Sequence, residues 1–515
     1  MLMTTVLALA PLLLTGTDQD SDGIIRVSTP LVQINVVVHG KSKPFSDLAE
    51  VLTKDDFALS DRGKLRPIAF FSVDSLKSSE NKPESLPVNV FSNRQGGGTG
   101  ITAILLDGLN TRFEDQSRAR LQFEKILSSL NPTDRVAVYT LGRSLKVLCD
   151  FTGNPEQLRK FVARYHGAVN TEVATAEPEH IDNGDPFLDP FLNEVNQKFA
   201  GAANVDRAQL TMAAFLAIAN HFAALPGRKN LIWLTGSLPF SLAGVSKALN
   251  NANVALYPVD ARGLVGMPQE LTAVGAGGRS SNARSRIPSF GATGLDTMQE
   301  LAELTGGRAF YNTNDIAGAI RSAMEDSSTS YTLGFYPDPA TLDGKFHTIR
   351  VDVKRAGLTV RARRGYFATP DRGGAAPLIA DKFQLLLGSP LEGSSVPLTA
   401  TIDRTESGLK ISCSVDIRQL AMAKNGGFRN GAINLFFLQQ DETGQPLDSI
   451  ELPIEMHMSQ ALYDLYTKTG LVFKETIVPK KGLSTLRILV VDRGNASVAS
   501  LIIPMARIQL GSVRE

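Results

Sequence analysis

The stretch ITAILLD, residues 101–107, decides the fold class because it is apolar along its length and ends in an acidic residue. Three later stretches share this texture: RVAVYTL (135–141), KNLIWLTG (229–236) and NVALYPVD (253–260). A strand covered on both faces needs apolar residues at consecutive positions rather than at alternate ones. The four runs therefore predict the central strands of a mostly parallel sheet.

Helical patterns lie between these runs. In DQSRARLQFEKILSSL (115–130) apolar residues recur at helical spacing, and DRAQLTMAAFLAIANHFAAL (206–225) carries a second apolar stripe. The order strand, helix, strand calls for right-handed crossovers between parallel strands. We therefore predict an α/β domain at residues 101–328 with a doubly wound, mostly parallel sheet.

Two long insertions interrupt the predicted α/β domain. Residues 167–205 are rich in Asn, Asp, Glu and Pro, and residues 262–293 are rich in Gly, Ser and Arg. Loops of this length inside a compact domain are usually functional or disordered. The acidic part of the first insertion lacks the regular oxygen spacing of a Ca²⁺ loop, which favours a solvated loop.

Alternating apolar and polar residues flank the α/β domain on both sides. They predict an N-terminal β module at 24–78, which strands within 329–370 extend, and a sandwich-like C-terminal β domain at 398–515. Stretches rich in Pro, Gly or Ser predict linkers at 79–100 and 371–397. In the strand LTVRARRGYF (358–367), we expect three arginines on the solvent face: Arg361, Arg363 and Arg364.

Bulk composition limits the class of protein. The chain has 515 residues, of which 43% are hydrophobic and 20% charged, so several globular domains are expected. A net charge of +1 argues against a nucleic-acid partner, because phosphate binding requires a basic excess. Cys149 and Cys413 are far apart, and the alternation around Cys413 points its side chain into a core, so a disulfide is not expected.

The N-terminal residues indicate export. An apolar run from Val6 to Leu14 is followed by small and polar residues, which is the layout of a secretory signal at 1–23, although a basic start is missing. A mis-assigned start or a buried N-terminal segment are the alternatives. No later stretch approaches the roughly 20 apolar residues of a membrane span. We therefore expect a periplasmic or extracellular protein.

Five separated stretches resemble one known family. In chain order they are LTKDDFALSDRGKLRPIAFFSVD (52–74), the strand ending in Asp107, LNPTDRVAVYTLG (130–142), LAELTGGRAFYN (301–312) and SYTLGFYPDPATLDGKFHTIRVDVKRAGLTVRARRGYFA (330–368). Together they resemble the von Willebrand factor A-related family that is abundant in acidobacterial exported proteins. The resemblance covers residues 24–370. It implies a doubly wound von Willebrand A fold flanked by a β module, and binding of other proteins, often through a divalent cation.

The position of Asp107 suits such a site, but its neighbours suit it less. Doubly wound folds bind ligands beyond the carboxyl ends of central strands, and Mg²⁺ requires several oxygen ligands there. The family motif Asp-x-Ser-x-Ser matches Asp107, Leu109 and Thr111, and Leu109 has no side-chain oxygen. Where many relatives have Thr-Asp-Gly after a later strand, this chain has Thr235, Gly236 and Ser237.

Two hypotheses remain for this site. In the first, Asn110 replaces a missing ligand, and Asp107, Asn110 and Thr111 bind Mg²⁺ or Ca²⁺. In the second, the site is degenerate: backbone N–H groups hold Asp107, and Thr111 caps the following helix. The missing oxygens favour the degenerate site, so no cofactor is expected.

The functional expectation is a non-enzymatic protein that binds a protein partner. Loops on a rigid sheet remain a recognition surface without a metal. The expected contact rim consists of Asp107, Gly108, Leu109, Asn110, Thr111, Thr235, Gly236 and Ser237. One alternative is a structural role in a cell-envelope assembly. Another is an enzyme using the same switch point, although the sequence near Asp107 offers no His, Cys or Lys partner.

Other chemistry-bearing residues point to structural roles. The six histidines have no metal-ligand spacing, and His221 lies beside an apolar helical stripe. Trp233 is expected in the core of its strand. The sequence leaves the identity of the partner and the oligomeric state open.

Overall fold

The computed structural model describes residues 31–40, 52–75, 86–94, 101–127, 130, 134–152, 154–164, 188–223, 225, 227–236, 243–264, 290–326, 329–368, 389–495 and 497–509. The predicted signal at 1–23, much of both predicted insertions and the rim residue Ser237 lie outside these residues.

The strands are β1 (Val32–Gly40), β2 (Phe57–Asp61), β3 (Lys64–Arg66), β4 (Phe70–Ser75), β5 (Val90–Ser92), β6 (Ile101–Asp107), β7 (Arg135–Leu141), β8 (Leu145–Thr152), β9 (Lys229–Thr235), β10 (Val254–Asp260), β11 (Thr329–Phe335), β12 (Phe346–Val353), β13 (Leu358–Ala362), β14 (Gly365–Phe367), β15 (Leu398–Thr405), β16 (Gly408–Val415), β17 (Ala423–Asn425), β18 (Phe428–Gln440), β19 (Pro446–Ser459), β20 (Leu471–Ile477), β21 (Thr485–Asp492) and β22 (Val498–Pro504). The helices are α1 (Phe113–Leu127), α2 (Pro155–Arg164), α3 (Leu188–Phe222), α4 (Ala243–Asn251), α5 (Phe290–Thr305), α6 (Ile316–Glu325) and α7 (Gln460–Thr469).

A five-stranded sheet forms the centre of the α/β domain, in the order β10-β9-β6-β7-β8. Its first four strands are parallel to their neighbours, and the edge strand β8 is antiparallel to β7. The predicted α/β class with a mostly parallel sheet is therefore confirmed. Because β6 lies between β9 and β7, its last residue, Asp107, reaches the middle of the carboxyl edge of the sheet.

Helices cover both faces of this sheet, which explains the consecutive apolar residues of its strands. Ile101, Ala103 and Leu105 face a core that includes α3, α4 and α5. Ile104 and Leu106 face the opposite core, which includes α1, α2 and α6. Successive side chains of a strand point to opposite faces, so β6 needs apolar residues at every position.

A separate β unit combines strands from both sides of the α/β domain. Two four-stranded sheets, β13-β1-β11-β4 and β14-β12-β2-β3, share one apolar core. The strand β1 pairs in antiparallel fashion with β11 and with β13, which come about 300 residues later in the chain. The chain thus leaves this β unit at β4 and returns to it at β11.

The strand β13 corrects the prediction for the arginines. The guanidinium of Arg361 pairs with the buried Asp326 of the α/β domain, and Arg363 donates to the carbonyl of Gln33 at 2.7 Å. Only the side chain of Arg364 is largely exposed among the three. The alternating pattern identified the strand, but it could not reveal that a neighbouring domain covers the polar face.

The C-terminal unit consists of two sheets around one core. They are β20-β16-β15-β5 and β17-β18-β21-β22, with β19 beside β18. Cys413 is buried in this core, in agreement with the alternation around it. The strand β5 lies within the segment 79–100, for which we predicted a linker, and pairs with β15. Three residues are too short for an alternating pattern to reveal a strand.

The helix α3 corrects the prediction for the first insertion. Residues 188–205 continue the helix that was expected to begin near 206, so α3 is 35 residues long. This part contains Ala and Leu more than once, together with Gln197, Glu194 and Lys198, and all of these residue types favour a helix. Pro190 falls in the first turn, where proline is tolerated. In the described part of the chain, no helix has the length and apolarity of a membrane span.

Candidate functional site

Asp107 is a buried carboxylate with four hydrogen-bond donors. Its Oδ1 accepts from the backbone N–H of Asn110 at 2.9 Å. Its Oδ2 accepts from the Asn110 side-chain amide at 2.8 Å, from the Trp233 indole at 2.8 Å and from the Thr235 hydroxyl at 2.9 Å. Only 2% of the residue is exposed. The donors surround both carboxylate oxygens.

The strand order places these donors. Trp233 and Thr235 are two positions apart on β9, so their side chains point to the same face, and β9 pairs directly with β6. Asn110 lies in the loop after β6. In the same loop the backbone N–H groups of Gly108 and Leu109 donate to the carbonyl of Leu141. The loop is thus bound to the end of the neighbouring strand β7.

Burial raises the pKa of the Asp107 carboxyl above its usual value, because the charged form loses water. The hydrogen bonds from Asn110, Thr235 and Trp233 oppose this rise, since they stabilise the charged form. The carboxylate is therefore stabilised by its protein donors rather than by solvent.

The side chain of Asn110 connects Asp107 to α3. Its amide nitrogen donates both to Asp107 and to the Thr211 hydroxyl, the latter at 2.9 Å. Its oxygen accepts from Nε of Arg207 at 3.1 Å. All three of these partners are buried, and Arg207 is fully buried. The network therefore runs from the central strand through one amide to a buried guanidinium on the helix.

The other side of the loop is held by Gln116 of α1. Its side-chain amide donates to the carbonyls of Gly108 and Thr111, at 3.2 and 2.8 Å. The hydroxyl oxygen of Thr111 is buried and has no hydrogen-bond partner in the described residues. The expectation that Thr111 caps the helix is therefore wrong, and a side chain of the helix itself binds the loop.

Gly236 is the glycine that follows β9, at the position where the resemblance implies an acidic residue. A Cβ at this position would lie 2.9 Å from the carbonyl oxygen of Asn110 and 3.2 Å from Cα of Thr111. Both atoms belong to the backbone, which cannot move aside easily. The close approach of the two loops therefore excludes a larger residue at position 236.

The residues present do not fit a divalent cation. Protein donors take both oxygens of Asp107, and Arg207 takes the side-chain oxygen of Asn110. The cavity beside Asp107 and Thr111 has a volume of about 10 Å³, which is room for about one water molecule. No cluster of three or more His, Cys, Asp or Glu residues suited to a metal occurs within the described ranges. The structure therefore brings together the three expected metal ligands Asp107, Asn110 and Thr111, but the side chains of Asp107 and Asn110 bind each other and the Thr111 hydroxyl has no partner in the described residues.

The structure also corrects the expected contact rim. The described members of the rim are buried, so they do not form a surface that a partner can contact in this arrangement: Asp107, Gly108, Leu109, Asn110, Thr111, Thr235 and Gly236. The helix α3 contributes to this cover through Arg207 and Thr211. The sequence pattern located the loop but could not show that a helix 100 residues away lies over it.

The first half of α3 extends beyond the sheet. Arg207 lies at the carboxyl edge with Asn110, and the C-terminal end of the helix, at Phe222, precedes β9 at the opposite edge. The 19 residues from Leu188 to Asp206 therefore continue past the carboxyl edge for about 28 Å, at about 1.5 Å per residue. In this part Phe199 is 63% exposed and Val205 is 55% exposed.

A second cavity lies elsewhere, in the C-terminal unit. It measures about 530 Å³ and lies between β5 and β22, with Glu392 at its wall. Burial raises the pKa of the Glu392 carboxyl, whose Oε1 accepts from the backbone of Ile502 at 2.7 Å. Among the described residues that line this cavity, none is His, Cys or Lys.

Arg207, Thr211 and Gln116 are site residues that sequence reasoning missed. Arg207 and Thr211 fall on the continuation of the apolar stripe that includes Ala214 and Ile218, and a charged residue in such a stripe indicates a buried polar contact. Trp233 was expected to be a core residue, and it is both buried and a donor to Asp107.

No family model and no curated protein matches the chain. An aerotolerance-related membrane protein from Bacteroides fragilis NCTC 9343 aligns at 13% identity and a TM-score of 0.25, over 43% of this chain and 97% of that chain. A von Willebrand factor type A structure from Catenulispora acidiphila aligns at 11% identity and a TM-score of 0.26, over 58% and 72%. The ArnB paralog VWA2 from Sulfolobus acidocaldarius gives 9% identity and a TM-score of 0.20, over 87% and 76%. At such low TM-scores these similarities do not establish a family.

Proposed function

We propose that the protein is an exported, non-enzymatic member of the von Willebrand A-like class that binds a protein partner at the carboxyl edge of its α/β sheet. The contact surface is the exposed first half of α3 rather than the buried loop at Asp107. The degenerate site beneath it takes no metal cofactor and holds the helix in place. The observation that carries the proposal is the course of α3 past the sheet edge, anchored by Arg207 and Thr211.

The positions of the β units support this assignment. Residues at and just after β13 contact the α/β domain at the amino edge of the sheet. The N–H of Arg364 donates to the carbonyl of Glu303, in the last turn of α5, and Arg361 pairs with Asp326, which follows α6. The C-terminal unit contacts the end of α3, where the Ser394 hydroxyl donates to the carbonyl of His221 at 2.6 Å. Both contacts lie away from the carboxyl edge. Neither contact involves the first half of α3, in which Phe199 and Val205 are exposed.

The chemistry of the site supports a binding role over catalysis. A nucleophile or general base must present an atom to a substrate, whereas the oxygens of Asp107 are engaged by four internal donors. The exposed apolar side chains of Phe199 and Val205 suit burial against a protein surface, because removing apolar area from water is favourable. The secretory layout of residues 1–23 supports export.

Partner capture from an envelope extract tests the proposal. We expect the full-length protein to retain one stoichiometric partner, and the double variant Phe199→Glu with Val205→Glu to lose it. The matched control is Leu465→Glu with Val472→Glu, which changes two similarly exposed apolar residues of the C-terminal unit. Capture that survives the α3 variant but not the control would place the contact on the C-terminal unit instead.

A further inference from the structure

We infer that the guanidinium of Arg207 is the built-in cation of the Asp107 site and takes the electrostatic role that a divalent ion would have there. This goes beyond the proposed function, because it concerns what stabilises the site and not what the protein binds. The family resemblance implies a divalent cation at Asp107, but the residues of this chain do not fit one. The buried guanidinium of Arg207 is the positive charge that the chain places near this carboxylate.

The buried carboxylate of Asp107 carries a negative charge that must be compensated. Moving a carboxylate out of water is costly unless donors and a positive charge compensate it. The donors on Asp107 come from Asn110, Trp233 and Thr235, and all of these side chains are neutral. Neutral donors satisfy the lone pairs but do not balance the charge.

Arg207 is connected to Asp107 through the side-chain amide of Asn110. An arginine guanidinium stays protonated in proteins, and that of Arg207 donates to the Asn110 amide whose other end donates to Asp107. The positive end of the amide dipole thus faces the carboxylate, and its negative end faces the guanidinium. Each charge polarises the amide in the direction that favours the other, and a dry site strengthens this coupling.

The helix α3 holds the side chain of Arg207 in position. Arg207 and Thr211 are one turn apart on α3, so both face Asn110. Asn204, one turn earlier, accepts from Nη1 of Arg207 at 3.0 Å, and Thr211 donates to the carbonyl of Arg207 at 2.7 Å. The helix therefore fixes the guanidinium at the site permanently. A bound ion, in contrast, exchanges with solvent.

The experiment measures thermal unfolding of the full chain in four variants. Arg207→Met removes the guanidinium and keeps an unbranched stem, and we expect a fall in Tm of roughly 6 to 12 °C. Arg207→Lys keeps a charge and should recover part of that loss. Lys198→Met removes a cation from an exposed position of the same helix and should leave Tm unchanged. Asp107→Asn removes the negative charge with little change of shape.

The decisive result is the double variant Asp107→Asn with Arg207→Met. If the guanidinium balances the carboxylate, the Tm loss from Arg207→Met shrinks when Asp107 is already neutral. If the two losses add, or if Met and Lys at position 207 are equally harmful, Arg207 only fills space and the inference is wrong. Partner capture plays no part in this readout, so its failure leaves the proposed function untouched, and the reverse also holds.

Discussion

The indole N–H of Trp233 donates to Oδ2 of Asp107 at 2.8 Å, across the pair of parallel strands β9 and β6. Trp233 is also the only tryptophan of the chain. Its fluorescence therefore reports directly on the buried carboxylate. This relationship makes the site accessible to simple spectroscopy.

Removal of a donor from Asp107 should lower stability. Thr235→Val keeps the shape of the side chain and leaves the carboxylate one donor short, so we expect a loss of about 1–3 kcal/mol in the free energy of unfolding. Urea unfolding followed by Trp233 fluorescence measures it. Thr399→Val in β15, whose hydroxyl donates only to the partly buried Ser92, is the control and should cost less. Equal losses would show that the Asp107 contact has no special weight.

The raised pKa of Asp107 predicts a specific pH dependence. A carboxyl whose folded-state pKa exceeds its ordinary value of 3.8 binds a proton more readily in the folded protein. The contribution of Asp107 to the free energy of unfolding is therefore fully present below the ordinary pKa of 3.8. It is lost as the pH rises through the higher pKa of the folded state. We expect the stability of the wild type relative to Asp107→Asn to increase as the pH falls from neutral towards 4. Urea unfolding over this pH range tests the sign, and a relative loss on acidification would contradict it.

Restoring a larger residue after β9 should disrupt the site and not rebuild it. Gly236→Ala places a Cβ within 2.9 Å of the Asn110 carbonyl oxygen, so we expect a loss of roughly 1–3 kcal/mol. Gly142→Ala, after β7 of the same sheet, is the matched control, because its Cβ would meet no atom within 4 Å. Chemical unfolding of both variants tests this. A neutral Gly236→Ala would mean that the loops have room to separate.

The stability of the protein should depend on the Arg361 side chain of the β unit much more than on that of Arg364. The guanidinium of Arg361 pairs with the buried Asp326, which also contacts the Tyr257 hydroxyl and the His39 ring. Arg361→Met removes the guanidinium from this carboxylate and should cost about 3 kcal/mol. The side chain of Arg364 is 64% exposed in its pair with Glu303, and Arg364→Met should cost less than about 0.5 kcal/mol. Thermal unfolding compares the two variants. Equal effects would refute the role of β13 as an interdomain contact.

The sequence predicted those features that local patterns encode. Consecutive apolar residues identified β6, β7, β9 and β10, because two covered faces require them. The acidic residue at the end of β6 located the candidate site, since parallel strands bring their carboxyl ends to one edge. The same local patterns also separated the alternating strands of the β units from the α/β domain.

The contacts of the site could not be predicted because they join distant parts of the chain. Arg207 contacts a residue 97 positions earlier, and Trp233 contacts one 126 positions earlier. Local patterns give the periodicity of α3 but not its rotation above the loop. The burial of the rim and the loss of the expected metal ligands depend on that rotation. The same limit concealed the interdomain contact of Arg361 with Asp326 and the contact of Arg363 with the carbonyl of Gln33.

The most direct test of the account is thermal unfolding of the full chain with millimolar Mg²⁺, Mn²⁺ or Ca²⁺ against a chelator, with Asp107→Asn in parallel. A ligand that binds only the folded state must raise Tm. Because internal donors hold Asp107 and Arg207 holds Asn110, we expect that adding a metal or the chelator changes the Tm of neither protein. A cation-dependent rise in the wild type that is lost in Asp107→Asn would contradict the account and would show that the site binds a metal.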